Sequence, residues 1–153
     1  MGLTPDQHHA LPVKLKRLHP DARLPRYEHP DDSGADLFAV ADCVLQPFER
    51  QAVPTGLAAE VPPGFELQVR PKSGLALGSG ISVLNTPGTV DAGYRGEIKV
   101  ILVNLGAELY QVRKGQKVAQ LVLAPVLHAR FEEVPELSDT LRGAGGFGST
   151  GKA

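Results

Sequence analysis

The chain has 153 residues, 16 lysines and arginines against 17 aspartates and glutamates, and a hydrophobic fraction of 42%. That length suits a single domain able to bury roughly two thirds of its unfolded surface. A net charge of −1 excludes a surface built to coat nucleic acid, and no apolar run approaches the roughly 18 residues of a membrane span, so any polyanion bound must be small and met by local cations.

The opening segment, MGLTPDQHHALP, lacks the cationic and apolar regions of a secretory leader, and residues 1–10 are predicted to be disordered, His8 and His9 with them. A soluble, cytoplasmic protein is the expectation. Thirteen prolines and seventeen glycines then cut the chain into short runs that leave little space for long helices. Strands are predicted over Val13–Leu18, Asp36–Val40 and Gln51–Glu60. The lone cysteine, Cys43, excludes an intrachain disulfide and reads as a small buried apolar residue, with no base beside it. Phe65, Leu67 and Val69 alternate with Glu66, Gln68 and Arg70, a half-buried strand pattern. Ser73–Leu77 is the one helical turn. Glu97–Asn104 (EIKVILVN) and Val118–Val126 (VAQLVLAPV) are the clearest strands. Many short strands with Gly/Pro turns indicate an all-β barrel or sandwich. Residues 11–141 form the predicted β domain and residues 142–153 a separate tail.

That tail, RGAGGFGSTGKA, has no apolar pattern a core could use, so it is expected to be mobile alone. Glycine amides together with the hydroxyls of Ser149 and Thr150 suit a phosphate, which makes the tail a candidate lid. Gly143–Gly148 also satisfies GxGxxG, and Gly146–Lys152 satisfies GxxxxGK with Ala153 in place of Ser or Thr. Both phosphate-binding motifs need a helix immediately afterwards, and the sequence ends at Ala153, so neither is expected here.

Three further places could carry chemistry. NTPGTVDAGYRGEI, residues 85–98, reads as a hairpin that turns at Asp91 and presents an acid, an aromatic ring and free backbone amides together. Backbone capping by Asp91 is the bland alternative. Arg70–Leu75 leaves a strand and opens a helical turn where Lys72 and Ser73 could meet phosphate, or Ser73 could merely cap. Asp36, in SGADLFA, reads as a carboxylate without a partner: it hydrogen-bonds a turn, or holds a hydrated Mg²⁺. The five histidines show no metal-ligand spacing, and GxSxG, HExxH and CxxC are absent.

SGADLFA, RPKSGLAL, NTPGTVDAGYRGEIKV, RKGQKVAQLVLAPV and RGAGGFGSTG, taken in that order, resemble the five motifs of the homotrimeric dUTP pyrophosphatases, or dUTPases. The likeness spans Ser33 to Gly151. It implies a distorted jelly-roll-like β-barrel with one short helical turn and a flexible C-terminal arm, a homotrimer whose subunits share each site, and Mg²⁺-assisted hydrolysis of dUTP to dUMP and pyrophosphate. By position it makes Asp91 the general base. It places Asn85 and the backbone around Thr89, Val90 and Lys99 in a uracil slot, and Tyr94 beneath the deoxyribose. Lys72, Ser73 and Gly74 would meet phosphates, and Gln120 and Asp36 would assist the phosphate–Mg²⁺ cluster through water. From the tail, Arg142 would reach the γ-phosphate, Phe147 would stack on uracil, and Gly148, Ser149 and Thr150 would close over the phosphates. Lys72 departs from the arginine usual in the family and so loses a planar, bidentate fork. A dCTP deaminase, which shares the fold, and a non-catalytic nucleotide-sensing module are the two alternatives. Glu97, the one glutamate in the hairpin, is the deaminase's only candidate base.

Overall fold

The computed structural model describes residues 10–151. The predicted disorder of residues 1–9, and Lys152 and Ala153 of the tail, lie outside the described residues. Ten strands and one helix follow in order: β1 (Lys14–Arg17), β2 (Ala35–Phe38), β3 (Cys43–Leu45), β4 (Arg50–Glu60), β5 (Phe65–Arg70), α1 (Ser73–Ser79), β6 (Ile81–Val83), β7 (Gly88–Val90), β8 (Glu97–Asn104), β9 (Tyr110–Val112) and β10 (Lys117–Pro125). One sheet runs β1-β4-β8-β6, a second β2-β10-β5-β7, and β3 with β9 forms a short ribbon. All pairings are antiparallel. The chain therefore has the jelly-roll-like all-β architecture expected of it.

Alternation explains the layers. In β8, Ile98, Val100 and Leu102 point into the core while Lys99 stays exposed, and Val53, Leu57, Leu67, Val69 and Leu121 meet them from the other strands. Asn104 at the end of β8 is fully buried but satisfied: its Nδ2 donates to the carbonyls of Leu45 (3.0 Å) and Glu108 (2.8 Å), and its Oδ1 accepts from the Gly106 amide (2.9 Å). It thereby ties the β3–β9 ribbon to the larger sheet. Cys43 is half-buried rather than buried, and packs against the core edge. Burial, with help from Glu49 and Asp42, pushes its thiol pKa up and keeps it protonated.

The predicted hairpin over residues 85–98 has a different construction. β7 pairs with β5, whereas β8 pairs with β4 and, over Leu102–Asn104 only, with β6. The turn at Asp91 thus carries the chain from one sheet to the other, and its two arms share no ladder. β7 is the edge of its sheet, and the first half of β8 is unpaired on the side away from β4, except where the Ile101 carbonyl accepts the Leu84 amide (2.8 Å). Strand backbone left open in this way must find another partner or water.

β10 ends at Pro125, and residues 126–151 contain neither strand nor helix. Leu127, Phe131, Leu137 and Leu141 are exposed along this arm, which therefore starts well before Arg142.

Candidate active site

The two arms of the Asp91 turn enclose a cavity of about 450 Å³. Asn85, Thr89, Val90, Tyr94 and Lys99, all drawn from the sequence, line it together with Glu97. It is the space between the open edges of β7 and β8, so its walls offer main-chain N–H and C=O groups as well as the Asn85 amide. That is the equipment needed to read the hydrogen-bonding edge of a planar base.

Asp91 follows directly on β7, between the lining residues Val90 and Tyr94. Its carbonyl accepts the Tyr94 amide (3.1 Å), closing the turn, but among the described residues its carboxylate has no hydrogen-bond or ion-pair partner. The capping alternative is therefore not what the side chain does. An exposed, unengaged carboxylate beside this cavity is free to take a proton from water. Tyr94 is half exposed, and its hydroxyl donates to the Glu97 carbonyl (3.0 Å). A Cβ at Gly96 would collide with the Tyr94 phenol, so the ring lies where it does because residue 96 has no side chain.

A second, polar cavity of about 310 Å³ is lined by Asp36, Lys72 and Gln120, with Glu28, Asp32, Ser33, Gly34 and Lys117. The β10 ladder assembles it: Gln120 stands opposite Asp36 of β2 on one side and Arg70 of β5 on the other. Gln120 Nε2 donates to the Pro71 carbonyl (2.9 Å), and only glycine at position 34 leaves room for its amide.

Asp36 corrects the expectation of a carboxylate without a partner. It is buried, with Lys72 on Oδ1 and Lys117 on Oδ2 (2.7 Å). Burial works to raise its pKa, but the Lys117 and Lys72 ammonium groups outweigh this and hold the carboxyl below its ordinary value. Lys117 also donates to Glu28 (2.8 Å). Its own pKa is raised by Asp36 first and Glu28 second, and Glu28 is lowered chiefly by Lys117.

Lys72 is the N-cap residue of α1 and Ser73 the first helical residue. No side chain caps this helix, so Ser73 does not spend its hydroxyl on a cap; Ser73 and Gly74 are exposed.

Lys117 and Glu28 were missed from sequence. Strict alternation along β10 puts Lys117 on the face opposite Gln120, but a register shift between Lys117 and Ala119 brings the two to one side. A bulge of this kind leaves no mark that hydrophobic periodicity can read.

The two cavities share no lining residue, and the arm lines neither. Phe147 is fully exposed, and the arm folds on itself through local turns: Arg142 Nε donates to the Gly145 carbonyl (2.9 Å) and the Ser149 amide to the Gly146 carbonyl (3.0 Å). No helix follows Gly143–Gly148 among the described residues, which leaves the dinucleotide reading without its required element.

The dUTPase family model matches residues 21–151. The chain belongs to the dUTPase family. It is 58% identical over 139 residues to a deoxyuridine 5′-triphosphate nucleotidohydrolase of Gloeothece citriformis, covering 91% of this chain and 96% of that one. It is 52% identical over 140 residues to one of Clostridium tetani, covering 92% and 97%. The dUTPase of Staphylococcus bacteriophage 80alpha, solved with dUpNHpp, superposes with a TM-score of 0.85 at 26% identity, over 94% of this chain and all of that one. Both cavities and the described arm fall inside the family match.

Proposed function

We propose that this dUTPase-family chain hydrolyses dUTP to dUMP and pyrophosphate, a reaction that keeps uracil out of DNA and supplies dUMP for thymidylate synthesis. The observation that carries the reading is the cavity between two unladdered strand edges, with an unengaged aspartate at the turn that joins them. Uracil enters between β7 and β8 and is read by main-chain groups around Thr89, Val90 and Lys99 and by Asn85. Tyr94 lies beneath the sugar and occupies the volume a 2′-hydroxyl would need. Asp91 takes a proton from the water that attacks the α-phosphorus, which leaves dUMP and pyrophosphate.

The triphosphate needs positive charge and donors. Lys72 and Gln120 supply them at the polar cavity, with Lys117 beside them, and Ser73 and Gly74 at the exposed start of α1. Among the described residues no group of three or more His, Cys, Asp or Glu could cage a cation. That donor set fits an ion carried on substrate phosphates and water, the usual habit of Mg²⁺, with Asp36 reaching it through water. Bound there, Mg²⁺ would neutralise charge that grows on the phosphate oxygens.

The separation of the two cavities favours a site shared between copies in a homotrimer, with the arm of one copy closing over another: Arg142 on the γ-phosphate, Phe147 on the uracil, and Gly148, Ser149 and Thr150 on phosphate oxygens. The arm from residue 126, with the motif of residues 142–151 towards its end, then acts as a terminal segment of a single β domain.

Incubating the protein with each deoxynucleoside triphosphate and with UTP, in the presence of Mg²⁺, tests the reading directly. Selective release of dUMP and pyrophosphate from dUTP is expected. Ammonia released from dCTP would select the deaminase, and dUTP binding without turnover the sensing module. Against the deaminase stands the use already made of Glu97, whose Oε1 accepts the Gly56 amide (2.9 Å).

A further inference from the structure

β4 contains an irregularity that the reaction does not explain. Pro54 stands opposite Lys99 and Ala58 opposite Glu97, so Thr55, Gly56 and Leu57 together face the single residue Ile98. Gly56 has φ +69°, and a Cβ there would press on His19 and Ala22, so the bulge requires glycine. Three hydrogen bonds hold it. Thr55, fully buried, donates its hydroxyl to the Ile98 carbonyl (2.5 Å) and accepts the Leu57 amide (3.3 Å), and the Gly56 amide leaves the ladder to meet the Glu97 carboxylate (2.9 Å). Glu97 therefore binds the bulge with its side chain and, with its carbonyl, receives the Tyr94 hydroxyl (3.0 Å). Gly96 lies between them and clears space for the phenol.

We propose that Glu97 is a positioning residue for Tyr94, latched by the β4 bulge, and that this latch sets how sharply the site rejects a ribose 2′-hydroxyl. The inference rests on the reading of Tyr94 as the residue beneath the sugar. The bulge fixes the Glu97 side chain, which fixes the first peptide of β8. That carbonyl then holds the phenol against the cavity, while glycine at 96 leaves the ring one place to go. A ring held at both its backbone and its hydroxyl rejects an added atom better than one that can swing aside.

The experiment compares wild type, Glu97→Ala, Glu97→Gln, Tyr94→Phe and Tyr94→Ala. One measurement is kcat/KM for dUTP and for UTP; the other is ¹⁹F NMR of enzyme labelled with 3-fluorotyrosine, in which the three tyrosines give three signals. Glu97→Ala and Tyr94→Phe each remove one link, and each is expected to lower the dUTP/UTP ratio roughly three- to ten-fold, as loss of one hydrogen bond would. The Tyr94 signal of Glu97→Ala moves or broadens while those of Tyr27 and Tyr110 stay. Glu97→Gln keeps an acceptor for the Gly56 amide and is expected to retain selectivity and signal. An unmoved Tyr94 signal in Glu97→Ala overturns the proposal, as does Glu97→Gln behaving like Glu97→Ala. If Glu97→Ala does not fold, Tyr94→Phe decides: discrimination as sharp as wild type overturns the latch. Full selectivity in Tyr94→Ala would instead overturn the sugar reading beneath it, and the fluorine signal then judges the positional claim alone.

Discussion

The cavity between β7 and β8 and the arm from residue 126 onward are both glycine-containing and both belong to the proposed site, yet they are held in opposite ways. Around the cavity, contacts join residues far apart in sequence: Gly56 with Glu97, Thr55 with Ile98, Gly88 with Val69. In the arm, the Val126 amide still reaches the Gly64 carbonyl (2.9 Å), but from Thr140 onward the hydrogen bonds join residues three apart, and Phe147 touches no core. Long-range ladders cannot be lost one at a time, whereas a chain of local turns can be rearranged at little cost. The cavity is thus preorganised for the base, and the arm can take new partners when a ligand supplies them.

The sharpest way to test the preorganised side is Asp91→Asn. The amide is nearly isosteric and among the described residues the Asp91 carboxylate has no hydrogen-bond or ion-pair partner to lose, so folding and dUTP binding should be retained while kcat falls by at least ~10²-fold. Near-normal turnover would remove Asp91 from the base role.

The matching test of the other side deletes residues 142–153. The described residues of this segment, 142–151, contribute nothing to the buried core, so the melting temperature should hold. Turnover should drop by more than ~10²-fold, because the Arg142 charge, the Phe147 ring and the Ser149 and Thr150 donors leave together. A truncated protein that is stable and fully active would sink the lid; one that unfolds would make the arm structural. Phe147→Ala alone should be milder. Loss of a base stack costs about 1–3 kcal/mol, read as a weaker dUTP affinity in a binding titration.

The same contrast explains what could be read from sequence. Strands with sustained alternation, β5 and β8 above all, were legible, and so was the helical turn at Ser73, because side-chain period reports burial directly. β3, β6 and β9 are three residues long and carry no period. The hairpin over residues 85–98 failed for a deeper reason: a turn signal shows that the chain reverses, not which strands then pair. The motif residues of the cavity were found, but the buried pairing of Asp36 with Lys72 and Lys117 depends on ladder neighbours and a bulge that no local window contains.

That buried cluster gives a third test, of stability. Asp36→Asn leaves Lys72 without its anion, at a cost of about 2 kcal/mol once partial exposure of the lysines is allowed for, or a melting temperature lower by about 4–8 °C. The pH dependence has a definite sign. The Asp36 pKa is depressed on folding, so its contribution is present above the unfolded value near ~4 and is lost as pH falls through the folded value. Wild type and Asp36→Asn should therefore converge in thermal stability in acid and separate toward neutrality. Parallel profiles would mean that the pairs contribute no net stability.

The smallest effect is expected at Lys72→Arg. Lys117 occupies Asp36 Oδ2, which leaves Oδ1 alone for residue 72. An ammonium bound there is a point charge, and its orientation toward a phosphate is set by the carboxylate it leaves. A guanidinium can keep one N–H on Oδ1 and turn another toward a phosphate oxygen, so it need not exchange one partner for the other. That extra contact exists in ground and transition states alike, so it should lower KM for dUTP by roughly two- to five-fold with kcat unchanged. Steady-state kinetics on the single variant decides the point. A KM that does not fall would mean that residue 72 meets Asp36 rather than the triphosphate, and the phosphate role would pass to Lys117 and the helix start.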